Sequence, residues 1–302
     1  MNQSLPALLG FLLAIAPAAQ AQFNFTTNNG AITITGYTGS GGDVTIPDTI
    51  NGLPVTSIGI EAFAGSTLTK ATIPESVTNL TPWYYGIGAF DGCTNLTAIN
   101  VVAANQAYSS VNGVLFDKSQ TKLMLYPPVL TGRYTIPPGV TSIGNDAFKG
   151  CSLTEVRIPA SLSYIGVAAF AYAPNLTKVF CEGNAPSTGF DGGVFFGDYE
   201  NNATVYYLPR TTGWSESFFF LPTELWLPQI QTGDASFGVR TNQFGFNINW
   251  AKGQTVAVET CSNLANPVWQ PVQTNLLTGD SVHFSDPQFT NYPACFFRLR
   301  SP

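Results

Sequence analysis

Residues 140–170 read VTSIGNDAFKGCSLTEVRIPASLSYIGVAAF, a segment that says nearly the same thing twice. Ile143-Gly144 returns as Ile165-Gly166, and Ala147-Phe148 returns as Ala169-Phe170, each 22 residues on. One unit of that length cannot bury its own apolar positions. Copies stacked on each other can, so Ile, Leu, Val and Phe recur at fixed register and the chain is committed to a solenoid. Other copies begin at Val55 and Val77. The second is stretched by an insertion at 82–86, which puts Phe90 27 residues after Phe63. Residues 111–138 hold a variant copy that keeps the Ile136-Pro137 ending, and Ile46-Pro47 marks another copy upstream.

Within a copy, LTEVRI alternates, with Val156 and Ile158 directed inward and Glu155 and Arg157 outward. Equivalent strands are expected at Leu68–Ile73, 96–101 and 176–181. A second set of short strands is expected at VTSIG and its relatives. The intervening xxAFxGC reads as a tight turn or a single helical turn, and little long helix is expected. Composition agrees: 10% of residues are charged, against about 25% in ordinary soluble chains, and Gly (29), Pro (21) and aromatics (13%) are plentiful. The predicted fold class is mainly β, a period-22 solenoid of short strands and turns.

The register also places three of the five cysteines. Ser66, Cys93, Cys151 and Ala173 share one repeat position. Cys93 and Cys151 should lie two rungs apart, at about 9–10 Å, beyond disulfide reach. Cys181 falls on an inward strand position. All three read as core thiols.

The two ends differ from the array. Residues 1–21 read as a secretory signal, with a short apolar core at 8–16 and Ala19-Gln20-Ala21 as a small-x-small cleavage site before Gln22. No later segment is long and apolar enough to be a transmembrane helix. From Gln231 on, FGFNINW, TVAVETC, VWQPVQTNLL, DSVHFSDP and ACFFRLR read as five strands of a small all-β, sandwich-like domain. Cys261 and Cys295 sit on strands of this unit and are candidates for a disulfide. The expected organisation is 1–21 signal, 22–210 solenoid with caps, 211–230 linker and 231–302 C-terminal β-domain.

Several chemistries have no foothold. A formal net charge of −6 with 12 scattered Lys and Arg argues against nucleic acid. His283 is the one histidine, which excludes an HExxH zinc site, and no cysteine spacing offers a zinc ribbon. TGSGG at 38–42 lacks the first Gly of a nucleophile elbow. GIGAFD at 86–91 has Asp91 where a dinucleotide loop needs Gly. No cofactor or metal is expected. Asp191, Asp198 and Glu200 are the carboxylates a glycan hydrolase would use, and the Gly- and Asp-rich loop holding them reads first as a solvated insertion.

The outward columns carry the candidate surface. One reads Lys70, Ala98, Glu155, Lys178, and its neighbour reads Thr72, Asn100, Arg157, Phe180. A third, Thr69, Thr97, Thr154 and Thr177, is what β-propensity alone selects. The aromatic insertion PWYYG adds Trp83, Tyr84 and Tyr85, on a loop that breaks the repeat. The candidate binding residues are therefore Lys70, Glu155, Arg157, Lys178, Phe180, Trp83, Tyr84 and Tyr85.

VTSIGNDAFKGCSLTEVRIPASL and the variant NGVLFDKSQTKLMLYPPVLTGRYTIPPGVTSIG closely resemble the BspA-like leucine-rich repeats, also called the Treponema pallidum type, over residues 31–209. The resemblance implies a curved β-solenoid in a secreted or surface protein. It also implies attachment to other molecules as the role, with no catalysis in the repeat. The C-terminal domain resembles the module that ends many secreted Verrucomicrobia proteins, which implies a compartment more than a function. The expected role is non-enzymatic recognition or adhesion toward an extracellular protein or glycan. A structural spacer of an envelope or matrix is the alternative.

Overall fold

The computed structural model describes residues 22–80, 88–189, 193–195, 203–291 and 294–301. Within these the chain is almost entirely strand and turn. There is no α-helix, and one 3-10 turn occurs at Phe289–Asn291.

Each copy of the repeat makes one rung, with a short strand on one face, a corner, and a longer strand on the other face. The LTEVRI copies form the longer strands. Leu68–Ile73 lies parallel to Gly42–Thr45 and to Ala98–Val101. Further along, Thr131–Thr135, Ser152–Ile158, Lys178–Cys181, Thr204–Tyr207 and Leu221–Leu225 stack in parallel. The VTSIG copies form the other face, including Lys122–Leu125, Ser142–Ile143 and Tyr164–Ile165. The expected alternation holds: Val156 and Ile158 are buried, while Glu155 and Arg157 lie on the outer side. At the N-terminus, Phe23–Asn28 and Ala31–Tyr37 form an antiparallel hairpin, and its second strand starts the parallel stacking.

The corner explains the AF-x-G signature. Glu61, Asp146 and Ala168 occupy one corner position with φ of 57°, 53° and 55°. Gly65, Gly92, Gly150 and Tyr172 occupy the next, with φ of 65°, 67°, 67° and 54°. Two left-handed residues per rung reverse the chain tightly, and glycine takes such a conformation without steric cost. Between them the phenylalanines point inward and stack. Phe148–Phe170 ring centroids are 4.8 Å apart and Phe170–Phe195 5.5 Å. That spacing is close to the strand spacing of a sheet, so ring stacking and the backbone ladder share one repeat.

The variant copy interrupts the stack. Tyr108–Val111 and Val114–Asp117 form a hairpin that pairs antiparallel with Lys122–Leu125, so rung-to-rung parallel pairing lapses between Ala98–Val101 and Thr131–Thr135. The core divides accordingly, with one cluster running from Phe23 to Leu115 and a second from Val114 to Leu221. Asn105 anchors the interruption. It is fully buried, its Nδ2 donates to the carbonyls of Pro74 (2.7 Å) and Val77 (2.8 Å), and its Oδ1 accepts from the amides of Ala107 and Tyr108.

The five C-terminal strands appear at Gln243–Asn249, Thr255–Cys261, Gln270–Leu276, Ser281–Asp286 and Phe296–Arg300. Gln229–Gln231 and Gly238–Arg240 add to them. Gln243–Asn249 is the centre of one antiparallel sheet and Thr255–Cys261 of the other, and the two form a sandwich over Phe246, Ile248, Trp250, Val258 and Phe284. The segment read as a linker, 211–230, carries strands of its own: Leu221–Leu225 adds a rung beside Thr204–Tyr207. Trp226 and Leu208 then enter the core of the C-terminal sandwich.

Cys93, Cys151 and Cys181 are buried and outside any disulfide, as core positions require. Cys93 Sγ lies 3.5 Å from Ser66 Oγ, one rung away, as the shared register predicts. Burial pushes the Cys93 and Cys181 thiols up, away from the reactive thiolate. The disulfide considered for Cys261 and Cys295 is absent. Cys295 Sγ contacts Thr260 Oγ1 at 2.9 Å, and Cys261 Sγ turns toward the Asn263 carbonyl. Strand register accounts for this: Cys261 sits opposite Phe296, one residue past Cys295.

Candidate binding cleft

The long-strand face supplies the site. In the outward columns Arg133, Glu155, Lys178 and Thr204 are successive cross-strand neighbours, and beside them run Thr135, Arg157, Phe180, Tyr206 and Glu224. The threonine column sits at the edge of these strands, where the register skips Thr69 and Thr154. The hydroxyls there hold rungs together. Thr97 Oγ1 donates to the Thr69 carbonyl at 2.8 Å, Thr154 Oγ1 to Gly132 at 3.0 Å, and Thr177 Oγ1 to Thr154 at 3.1 Å. These side chains are structural cement at a β-bulge.

The C-terminal sandwich packs against one end of the outward columns, and the two enclose a cleft of about 530 Å3. Glu155, Arg157, Lys178 and Phe180 all line it, joined from across the gap by Asn249, Trp250, Asp280 and Ser281. Arg157 is the hinge of the arrangement. Its guanidinium pairs with Asp280 and with Glu155, and lies 5.8 Å from the Phe180 ring and 5.5 Å from the Trp226 ring. Only 12% of the Arg157 side chain remains exposed, so this outward residue, read from sequence as candidate binding surface, also joins one domain to the other. Phe180 is half-covered in the same way, stacked on Tyr206 (5.0 Å) and packed on Trp226 (4.6 Å). Glu155 accepts from Arg133 Nε at 2.9 Å. Behind them, burial pushes the Glu182 carboxyl up, with Arg157 opposing.

The remaining candidates are dispersed. Lys70 belongs to the first block of rungs, where it pairs with Asp43 at 3.1 Å on open surface. Trp83, Tyr84 and Tyr85, and likewise Asp191, Asp198 and Glu200, lie outside the described residues. His283 Nδ1 lies 3.0 Å from Asn247 Oδ1 across two strands of the sandwich. The described residues contain no group of three or more His, Cys, Asp or Glu placed to hold a metal ion. None of their helices is long and apolar enough to cross a membrane.

A larger cleft, about 730 Å3, opens where the variant copy interrupts the stack. Its walls combine residues of the solenoid core, among them Phe90, Leu96, Leu115 and Tyr126, with corner residues such as Gly92, Asp146 and Gly150. Asp91 and Lys149 pair across it at 2.9 Å.

The sequence pattern of the BspA type leucine rich repeat region matches residues 38–127 and 130–211 in 6 copies. The chain belongs to the BspA-type leucine-rich-repeat family. The family's repeats supply the whole long-strand face of the cleft up to Tyr206, while the sandwich residues opposite lie outside the match. No curated protein matches this BspA-type chain. Among solved structures, the pneumococcal vaccine antigen PcpA is similar at 18% identity over 56% of this chain and 63% of its own, with a TM-score of 0.37. This chain thus spans less than two thirds of that antigen. A T. pallidum leucine-rich-repeat protein is similar at 27% identity over 63% and 70%, TM-score 0.31. One from Bacteroides ovatus is similar at 24% identity over 62% and 47%, TM-score 0.35.

Proposed function

We propose that this BspA-type protein is a secreted or surface-exposed, non-enzymatic recognition protein that binds an extracellular protein or glycan in the cleft between its long-strand face and its C-terminal sandwich. Residues 1–21 act as the secretory signal and are removed before Gln22. The observation that carries the reading is convergence. Four outward residues chosen from the repeat register alone, Glu155, Arg157, Lys178 and Phe180, line one cleft with groups from a second domain. Clefts of a few hundred Å3 between domains are where ligands are commonly held. Membership of a repeat family whose members bind other molecules at surfaces supports the same reading.

The test is a binding screen of the secreted chain against extracellular-matrix proteins and a glycan array. The double substitution Arg133→Ala with Lys178→Ala, two solvent-facing side chains, should weaken any saturable interaction at least tenfold. An interaction left unchanged would place the binding surface elsewhere. Tyr84→Ala with Tyr85→Ala tests the aromatic insertion separately.

A further inference from the structure

We infer that the cleft takes a short neutral oligosaccharide of about two or three sugar rings, an assignment that rests on the cleft being the binding site. The first argument is charge. Arg133 and Arg157 are committed to Glu155, and Arg157 also to Asp280. The two further ionic groups of the lining, Lys178 and Glu224, carry opposite signs. The site therefore has no net charge with which to attract a sulfated, phosphorylated or uronic ligand.

The second argument is the polar lining. Gln229, Gln231, Asn249 and Ser281 line the cleft from the sandwich side. Gln229 and Asn249 are direct cross-strand neighbours, so their amides stand side by side. Each amide offers a donor and an acceptor, and each hydroxyl both donates and accepts. That mixture matches the vicinal hydroxyls of a sugar, each of which also does both. On the opposite wall the partly buried Phe180 and Tyr206 rings, stacked on each other, leave a limited apolar surface toward the C–H side of a pyranose.

The third argument concerns an extended peptide. Such a ligand usually adds to an open strand edge. Here Lys178–Cys181 and Thr204–Tyr207 are paired on both sides, so these two strands offer side chains and no free backbone edge; the edge strand Gln229–Gln231, paired only with Gln243–Asn249, is the one a peptide would have to use.

The experiment titrates the full secreted chain with chitotriose, mannotriose and cellotriose, with a hyaluronan tetrasaccharide as the acidic comparison and fibronectin as the protein comparison. Gln231→Ala and Asn249→Ala are made in parallel, and thermal melting confirms that they fold. Saturable binding of a neutral trisaccharide, weakened at least tenfold by either substitution and not matched by the acidic glycan, supports the assignment. Preference for hyaluronan overturns it. Binding of fibronectin alone, sensitive to the same substitutions, overturns the glycan and leaves the cleft as the site. Binding of any ligand with both variants unaffected overturns the cleft as well, as does the absence of binding to every probe.

Discussion

Two buried polar residues have opposite fates. Asn105 spends its whole side-chain capacity on four backbone groups and holds the variant hairpin against the preceding rung. Asn105→Ala would leave those groups unsatisfied in a buried place, at about 1–3 kcal/mol for each group that finds no water. A loss of about 3 kcal/mol is expected, read as a shift in the urea midpoint at unchanged slope. Asp146 is the reverse case. Both its carboxylate oxygens are shut off from solvent without a hydrogen-bond donor, and burial pushes the group up to about 6. A carboxyl raised above its unfolded value of roughly 3.9 destabilises the fold fully above pH 6, and the penalty fades as pH falls toward 4. Asp146→Asn should therefore raise stability by about 1 kcal/mol at pH 8. Asn also suits the left-handed φ of 53° at this position. The gain should shrink on titration to pH 4, and a gain independent of pH would refute the account. Neither residue was legible in the sequence. Asn105 falls in an irregular stretch just before the variant copy, and Asp146 shares its register position with Glu61 and Ala168, so type alone did not separate a buried carboxylate from an exposed one.

The elements were the most legible part, and the reason is periodicity. Inward Val156 and Ile158, the phenylalanine column and the Ser66–Cys93 neighbourhood all follow from the repeat register, a period of 22 residues stretched to 27 by the insertion at 82–86, applied with strand alternation. The corner follows too. At Gly150 a Cβ would meet no atom within 4 Å, so only backbone strain opposes substitution. Gly150→Ala should cost about 1–2 kcal/mol, measured by thermal or urea melting, with no change in the strand signature of the far-ultraviolet spectrum. What escaped was whatever breaks the period. The hairpin at Tyr108–Val111 and Val114–Asp117 replaces a rung by antiparallel pairing, and the residues show only that the copy is unusual. Gln229–Gln231 and Gly238–Arg240 escaped because three-residue strands at a sheet edge show too little alternation to be read.

At the level of the whole molecule, the sequence separates a solenoid from a C-terminal sandwich but does not say that they share a core. Arg157 and Asp280 are 123 residues apart and no local pattern links them. The candidate surface was therefore legible as a column of outward residues, and its second wall was not. Leu208 and Trp226 come from the end of the array, yet they sit with Phe246, Ile248 and Trp250, and Trp250 Nε1 donates to the Trp226 carbonyl at 2.7 Å. Burial of a side chain of this size contributes about 3 kcal/mol, whereas the Arg157–Asp280 pair, with Arg157 12% and Asp280 56% exposed, gives back much of its attraction in desolvating the guanidinium. The shared hydrophobic residues thus dominate the docking, and the ion pair with its aromatic neighbours sets its orientation. Two outcomes follow. A fragment of residues 231–302 lacks Leu208 and Trp226 and should remain unfolded by circular dichroism, whereas 204–302 regains both residues and should recover sandwich structure at least in part. Trp226→Ala in the full chain should split the thermal transition in two, with the sandwich melting first, while Arg157→Leu should keep one transition and change only the geometry of the cleft. A single unaltered transition in Trp226→Ala would show that the two units are held together by something other than this shared core.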